Sequence, residues 1–279
     1  MTTMDKLRID DGYVLERTDA EAERLKAQAQ LMVPSSEWVL RSAGLVPGIR
    51  CLDAGCGPGE GMRILGRIVG PSGHVTGLDI DAATGEPMLE RLRAEKGTHF
   101  AFVAGDVTQG DLIPGAPFDL VFARLLLIHM TDPVAVVRHL GALVRPGGRL
   151  VLVDYDLSRM AVRPGHPGVE RGFEIVTECF RRSGKAADTG LRLGEFLVAA
   201  GLPAPQGYDF EPCFGAFPDV GRRLESVLAS LTPAAQALGI AAPGEVEALR
   251  AETRALIASG PHLDALGPSI IGVWTTLPS

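Results

Sequence analysis

The middle of the chain alternates between short apolar runs and longer stretches in which apolar residues recur with helical spacing. The short runs predict strands at residues 50–54, 74–80, 99–103, 118–122 and 149–155. The longer stretches predict helices at residues 61–69, 87–95 and 132–144. Because alternating strands and helices are typical of βαβ units, this part of the chain should form a parallel sheet flanked by helices.

The flanking segments have a looser pattern. Helix formers at residues 14–32, and a second stretch after Pro34, predict two N-terminal helices. Towards the C-terminus the pattern predicts helices at residues 169–182 and 193–200, and strands at residues 206–211 and 269–276. Between these last two strands the pattern is helical over residues 219–259, with interruptions at Pro233 and Pro243-Gly244.

No internal repeat or linker divides the sequence, so we predict a single domain over residues 1–279. Within it, residues 1–45 would form an N-terminal helical cap and residues 46–160 the core of the sheet. Residues 161–279 would add further helices and the last two strands.

Composition narrows the class of protein. The net charge is −7 and no run of Lys and Arg is present, so a nucleic-acid partner is not expected. The apolar stretch at residues 125–128 is far too short to cross a membrane, and the charged N-terminus lacks the apolar core of a signal peptide. We therefore expect a cytoplasmic protein with no membrane contact. Its four cysteines lack metal-ligand spacing, so we expect reduced thiols and no metal.

The strongest chemical signal is a glycine-rich segment. Gly55, Gly57 and Gly59 alternate between the first predicted strand and the helix that follows it. Glycines let a backbone turn tightly and approach a ligand closely, and the helix N-terminus offers free N–H groups to an anionic group. A dinucleotide loop of the pattern G-x-G-x-x-G would require glycine at position 60, where this chain has Glu60. A NAD-dependent dehydrogenase is therefore the weakest interpretation.

Carboxylates end three successive predicted strands. Asp53 lies on the first strand, Asp79 closes the second and Asp106 follows the third. The carboxyl ends of parallel strands meet at one edge of the sheet, where open α/β folds bind their ligands. At that edge a carboxylate can bind an ammonium group, accept both hydroxyls of a ribose or accept from the amino group of an adenine. The three positions together predict a site for a ligand that combines these groups.

With these motifs, and with Leu-Val-Arg-Pro-Gly-Gly before the fifth strand, residues 45–155 resemble the class I, Rossmann-like S-adenosylmethionine (SAM)-dependent methyltransferases, in their bacterial small-molecule branch. The resemblance implies a seven-stranded, mostly parallel sheet with an antiparallel C-terminal strand and helices on both faces. It also implies an N-terminal helical cap and a helical lid insertion. The implied activity is methyl transfer from SAM, which leaves S-adenosylhomocysteine (SAH), to an O, N or C atom of a small-molecule acceptor.

The resemblance also implies a set of residues that hold the cofactor. The methionine end of SAM would contact Asp53, Gly55, Cys56, Gly57, Gly59, Ala123 and Arg124. The ribose and the adenine would contact Asp79, Ile80, Gly105, Asp106 and Val107. Tyr13 would cover the site from the N-terminal segment and touch both cofactor and substrate.

On the acceptor side, His129 is the candidate general base, because it follows the fourth strand in a segment that borders the acceptor pocket in the family. A structural role, capping the loop before the next helix, is the equal alternative. Asp154 is a second catalytic candidate at the end of the fifth strand, and Tyr155 beside it is a candidate substrate contact. Arg124 is a candidate for binding a carboxylate of the substrate or of SAM.

Two alternatives to methyl transfer stay open at this point. SAM-binding motifs are also compatible with an enzyme that steers a rearrangement or cyclisation without transferring a methyl group. A non-catalytic SAM-binding partner is the third hypothesis. A homodimer is considered as well, although no sequence feature specifies one.

Overall fold

The computed structural model describes residues 32–95, 97–109, 113–260 and 262–279. Its strands are β1 Arg50–Ala54, β2 His74–Asp79, β3 His99–Ala104, β4 Phe118–Arg124, β5 Val144–Asp156, β6 Ala161–Arg163, β7 Gly207–Glu211, β8 Phe214–Ala216, β9 Asp264–Leu266 and β10 Ser269–Thr276. Seven of them form one sheet in the order β3-β2-β1-β4-β5-β10-β7. Strands β1 to β5 pair in parallel, and β10 runs antiparallel to both β5 and β7. This confirms the predicted sheet with its antiparallel C-terminal strand.

The helices are α1 Val33–Ser42, α2 Glu60–Val69, α3 Gly85–Ala94, α4 Pro133–Ala142, α5 Pro167–Arg182, α6 Thr189–Ala199, α7 Phe217–Ala237 and α8 Glu245–Ser259. Four of them, α1, α4, α5 and α7, have a proline at their first or second position, where a missing N–H costs nothing and the fixed φ favours the helix. Helix α4 is also capped, because the Asp132 carboxylate accepts the Ala135 N–H at 2.9 Å.

Three apolar clusters hold these elements together. One lies between one face of the sheet and α1, α2 and α3, and fully buries Leu65 and Phe122. The second lies between the other face and α4 and α6, around Leu140 and Phe196. The third unites α5, α7 and α8 in a separate helical layer around Phe217. The helices therefore cover both faces of the sheet, and an additional layer stands beside β5 and the segment that follows it.

Pro233 does not interrupt the helical segment, contrary to the sequence prediction. Helix α7 runs through it from Phe217 to Ala237. The proline removes one helical hydrogen bond, but Leu228, Leu231 and Ala235 around it are fully buried. Packing of this apolar face outweighs the lost bond, which is the usual source of helix stability in a folded protein. The predicted break at Pro243-Gly244 does separate α7 from α8.

A second, three-stranded sheet with the order β6-β9-β8 was not predicted. Each of its strands has only three residues, which is too short for a period-two pattern to appear in the sequence. Strand β5 also begins earlier than predicted. Val144 pairs with Phe118, and the pairing resumes where Arg149 faces Leu120, so residues 145–148 form an irregularity within the strand.

The helix predicted at residues 14–32 and the candidate Tyr13 fall outside the described residues, which begin at Met32. Both stay predictions. Among the described residues no helix is long and apolar enough to cross a membrane.

Candidate functional site

The carboxyl ends of β1, β2 and β4 meet where the order of the strands reverses. Strand β1 lies between the other two, so that Ala54 pairs with Leu78 of β2 on one side and with Ala123 of β4 on the other. Open α/β sheets bind ligands in the crevice at such a reversal. The fold therefore brings the predicted cofactor residues after β1, β2 and β4 to one edge of the sheet.

The loop after β1 is a left-handed turn that glycine adopts without strain. Gly55, Gly57 and Gly59 have φ values of +71°, +47° and +86°. The N–H groups of Gly55 and Cys56 donate to the Leu78 carbonyl at 2.8 and 3.0 Å, which fastens the loop to β2. A Cβ built on Gly57 would meet no heavy atom within 4 Å. The backbone of the loop is therefore accessible at Gly57, which leaves space for a ligand to contact it.

Both oxygens of the Asp79 carboxylate are engaged by the backbone. Oδ2 accepts the Gly57 N–H at 2.8 Å, and Oδ1 accepts the Asp81 N–H at 3.0 Å. Asp79 therefore fixes the glycine loop in addition to any contact with a ribose. Each carboxylate oxygen has a second lone pair, so the hydroxyls of a ribose can still donate to it.

Asp106 is held rigidly at the end of β3. Its Oδ1 accepts both the N–H and the hydroxyl of Thr108, at 2.8 and 2.7 Å, and its Oδ2 accepts from Gln109 at 3.3 Å. Burial raises the pKa of the Asp106 carboxyl, but these hydrogen bonds outweigh burial and leave the pKa below its usual value. The Gly105 N–H donates to the Asp79 carbonyl at 2.9 Å, which joins the ends of β2 and β3.

The two apolar residues predicted beside the adenine differ in exposure. Ile80 is 52% exposed, which suits a side chain that packs on a flat ring. Val107 is buried in the apolar cluster beneath the sheet, so its side chain faces the core. Only the backbone of Val107 can contact a ligand at this edge.

Asp53 is a buried carboxylate with an unsatisfied oxygen. The side chain is 2% exposed, and its Oδ2 accepts no hydrogen bond from the described residues. It lies against the first turn of α2, where a Cβ on Gly61 would collide with it. Burial raises the pKa of Asp53 to about 7, although the Arg124 guanidinium and the Met62 N–H oppose the shift. Because buried polar atoms are nearly always satisfied, this oxygen marks a position suited to a cation.

Arg124 links the cap to this edge of the sheet. It ends β4, and its guanidinium donates to Oγ of Ser36 in α1 at 3.3 Å. Burial lowers the pKa of Arg124, and the carboxylates of Asp53 and Glu60 oppose that shift. The sequence predicted Arg124 and Asp53 here but missed Glu60 and Ser36. Glu60 pairs with Arg63 in the first turn of α2 and acts on Arg124 only electrostatically, and no local signal in the sequence indicates an effect on a residue 64 positions away.

His129 is the last residue of a short 3₁₀ turn, Leu127–His129. The side chain is half-buried, and its ring centroid is 6.0 Å from that of Phe180 in α5. The ring therefore lies between the sheet edge and the separate helical layer.

Asp154 fixes the backbone of that turn. It is 1% exposed, and its two oxygens accept the N–H of Ile128 at 3.1 Å and of Tyr155 at 2.9 Å. Burial raises the pKa of Asp154 to about 7, although these hydrogen bonds oppose the shift. The Tyr155 hydroxyl donates to Sδ of Met32 at 3.6 Å, so the start of the cap contacts the end of β5.

Cys56 contributes backbone rather than reactive sulfur. The residue is 5% exposed, and its Sγ lies beside Gly77 of β2. Burial raises the pKa of the thiol, and the nearby carboxylates of Asp53 and Asp79 raise it further. A thiol of this kind is not a nucleophile at neutral pH.

These features fit the groups that SAM carries. The unsatisfied Oδ2 of Asp53 suits an ammonium group, and the open backbone at Gly57 leaves room for the methionine chain. Asp79 retains acceptor capacity for a ribose, and the exposed side chain of Ile80 offers a surface for an adenine. The residues present therefore agree with the chemistry of the cofactor.

Comparison with known proteins identifies relatives of this chain. Residues 45–185 match the family described as "Methyltransferase domain". The 27-O-demethylrifamycin SV methyltransferase of Amycolatopsis mediterranei is 33% identical over 176 residues, which are 61% of this chain and 60% of that protein. The ubiquinone biosynthesis O-methyltransferase of Vibrio parahaemolyticus is 31% identical over 144 residues, 50% of this chain and 58% of the relative.

A solved structure from Bacillus halodurans, described as that of a methyltransferase, has the same fold, with a TM-score of 0.58 at 17% identity. The similarity covers 88% of this chain and 99% of the other. The matched part of this chain spans a little over half the length of the two relatives above. Of the helical layer, α5 lies within the matched family region, and α7 and α8 lie beyond it.

Proposed function

The chain belongs to the methyltransferase-domain family, and from this premise we propose that it is a SAM-dependent methyltransferase with a small-molecule acceptor in biosynthetic metabolism. Methyl transfer is favoured over a rearrangement without transfer and over a non-catalytic role, because the relatives named above are methyltransferases. An O, N or C atom of the acceptor receives the methyl group.

One observation carries the proposal. Three carboxylates, those of Asp53, Asp79 and Asp106, lie at the carboxyl ends of neighbouring strands. Asp79 accepts the N–H of Gly57, beside which the backbone is open, and Asp53 is buried with an unsatisfied oxygen. A loop that only turned the chain would need neither the open space nor the unsatisfied charge. A site for a ligand with an ammonium group, a ribose and an adenine needs both.

Two groups of residues bind the two ends of SAM. Asp53 and the loop from Gly55 to Gly59 bind the methionine end, with the backbone of Ala123 and the buried cation of Arg124 beside it. Asp79, Ile80, Gly105, Asp106 and Val107 hold the nucleoside. When bound, SAM supplies an electrophilic methyl group on a sulfonium sulfur. Orientation of the acceptor towards that group can account for several kcal/mol, since well-oriented intramolecular reactions gain ~7–11 kcal/mol.

His129 accepts the proton when the acceptor atom must lose one. Its turn is fixed by the Asp154 carboxylate through the Ile128 N–H, so we assign Asp154 to positioning the base. Tyr155 lines the same side and, with Tyr13 from the N-terminal segment, contacts substrate. This division leaves His129 as the catalytic residue and Asp154 as the residue that acts through it.

The helical layer of α5, α7 and α8 is proposed as the acceptor-binding part and the lid. It has its own apolar cluster and approaches the site through Phe180, whose ring faces that of His129. An apolar small molecule suits such surroundings. We further propose that residues 1–279 form one domain, that the protein acts in the cytoplasm, that it binds neither nucleic acid nor a membrane, and that it can form a homodimer.

The proposal is tested in two steps with purified protein. Calorimetric titration with SAH should show binding, and NAD should not compete. Incubation with methyl-labelled SAM and a panel of small-molecule acceptors should then place the label on an acceptor. Binding of NAD in place of SAH would reject the cofactor assignment. SAH binding with turnover of a substrate to an unlabelled product would favour the rearrangement instead.

A further inference from the structure

The segment between β4 and the 3₁₀ turn contains an unusual backbone conformation. Leu125 has a φ of +53°, a region that bulky L-residues rarely occupy. Such a conformation persists only when its surroundings enforce it, and it is found mostly at functional sites. Here the Leu125 N–H donates to the Val153 carbonyl of β5 at 2.8 Å, which anchors the turn.

The conformation of Leu125 places the side chain of the next residue, Leu126, on the glycine loop. Cδ1 of Leu126 lies 2.8 Å from the position that a Cβ on Gly55 would occupy. Gly55 is therefore confined from two sides, because its N–H donates to Leu78 of β2 while Leu126 packs where a side chain would stand. Glycine is therefore required at position 55 for two reasons: the positive φ, and the space that the Leu126 side chain occupies.

The same segment leads directly to the proposed base. The His129 N–H donates to the Leu126 carbonyl at 3.0 Å, and the Ile128 N–H between them donates to Asp154 at 3.1 Å. Leu126 thus touches the cofactor loop with its side chain and the His129 turn with its backbone. The residue that contacts the glycine loop, Leu126, is therefore only three positions before His129 in the sequence.

We propose that Leu126 is a positioning residue that fixes the glycine loop in its cofactor-binding form and couples occupancy of that loop to the orientation of His129. This inference rests on the proposed function. A ligand seated on the loop contacts Gly55, Gly55 is backed by Leu126, and the Leu126 carbonyl accepts the backbone N–H of His129. The loop and the base therefore respond as one unit.

The chain offers a matched control for this contact. Leu202 packs on Gly141 of α4 with its Cδ1 also 2.8 Å from the position of a Cβ on that glycine. Leu126 and Leu202 are both partly buried at the margin of the same apolar cluster. A leucine-to-alanine change should therefore cost similar packing at either position, while only Leu126 adjoins the cofactor loop.

The test measures SAH binding by calorimetry and the ¹H–¹⁵N signals of the His129 ring by NMR. Leu126→Ala should weaken SAH binding by about 5- to 50-fold, since a small misplacement of binding groups is costly. Leu202→Ala should stay within about twofold of the wild type, as distant sites do. Saturation with SAH should shift the His129 ring signals in the wild type and in Leu202→Ala, but much less in Leu126→Ala.

A second pair of variants keeps the proposal testable if the first is unstable. Gly55→Ala should also weaken SAH binding, because its Cβ meets Leu126 and because alanine is strained at the positive φ of Gly55. The double variant Gly55→Ala/Leu126→Ala keeps the backbone strain but removes the collision, so SAH should bind more tightly than to Gly55→Ala alone. Additive effects, or equal SAH affinities of Leu126→Ala and Leu202→Ala, would overturn the positioning role. Failure of the wild type to bind SAH at all would instead reject the proposed function.

Discussion

Asp53 and Asp154 represent two regions of the molecule that look alike and for which we propose different functions. Both lie at the carboxyl ends of strands in the same sheet, at 2% and 1% exposure, and burial raises the pKa of each to about 7. The oxygens of Asp154 accept backbone N–H groups, whereas Oδ2 of Asp53 accepts none from the described residues. Depth of burial and pKa therefore do not separate the two roles that we propose, positioning for Asp154 and ligand binding for Asp53. The partners of the carboxylate do.

This contrast extends to the two sides of the site. The cofactor side consists of strand ends and one short loop, so its geometry follows from backbone conformation within β1, β2 and β3. The acceptor side joins the ends of β4 and β5 to a separate layer formed by α5, α7 and α8. Substitutions on the first side should change cofactor affinity, and substitutions on the second should change rate.

The largest effect is expected on the acceptor side. His129→Ala should lower kcat by about 10²–10⁴-fold, the usual contribution of a general base, with SAH affinity unchanged. The wild-type rate should rise with pH across the range in which histidine side chains lose their proton. Activity assays from pH 6 to 9 with the true acceptor, and melting temperatures of both proteins, provide the measurement. Full activity of the variant across this range would make the residue a structural cap.

The two sides also differ in what the sequence can predict. Strands β1 and β10 were predicted with their exact bounds, and the glycine loop with Asp53, Asp79 and Asp106 was placed at one edge of the sheet, because local patterns and the parallel-sheet rule determine both. The three-residue strands β6, β8 and β9 and the continuous helix through Pro233 depend on packing between distant segments. The contact of Leu126 with Gly55 likewise joins residues 71 positions apart, and no local pattern encodes it.

On the cofactor side, Asp53→Asn should weaken SAH binding by about 1.5–3 kcal/mol, because a charged hydrogen-bond partner of the ammonium group is lost. The melting temperature of the free protein should change little, because relief from burying the Asp53 carboxylate is offset by the loss of its attraction to the Arg124 guanidinium. Asp156→Asn is the matched control. Asp156 is equally buried, but its Oδ1 accepts the Ser158 N–H at 2.9 Å. Its Oδ2, which accepts no hydrogen bond from the described residues, lies 3.5 Å from the Nε of Arg159, so its variant should melt lower and bind SAH normally. If Asp156→Asn instead weakened SAH binding and Asp53→Asn bound SAH normally, Asp156 would be the carboxylate that binds the ammonium group.

The pH dependence of SAH binding distinguishes Asp53 from Asp154 directly. With a pKa of about 7 in the free protein, the Asp53 carboxyl is mostly protonated at pH 6 and must lose its proton to bind an ammonium group. Affinity should therefore fall by about tenfold from pH 8 to pH 6, as linkage requires for one group. Calorimetry should show that Asp53→Asn abolishes this dependence and that Asp154→Asn preserves it. A dependence that survives Asp53→Asn would place the titrating group elsewhere.

The smallest effect is expected at Asp79, where the carboxylate serves both the loop and the ligand. Asp79→Ala removes the hydrogen bond from Gly57 and the acceptor for the ribose, so SAH binding should weaken by at least ~1 kcal/mol. Asp81→Ala is the control two residues away, since Asp81 only caps a short turn through the Ala83 N–H at 3.0 Å.

A second ligand, adenosine, which lacks the methionine end, separates the loss of the ribose contact from the loss of the loop contact in Asp79→Ala. If the ribose contact dominates, adenosine and SAH should lose similar affinity in Asp79→Ala. If the loop contact dominates, SAH should lose more, because the glycines hold its methionine chain. Unchanged affinity for both ligands would mean that the ribose lies elsewhere along the edge.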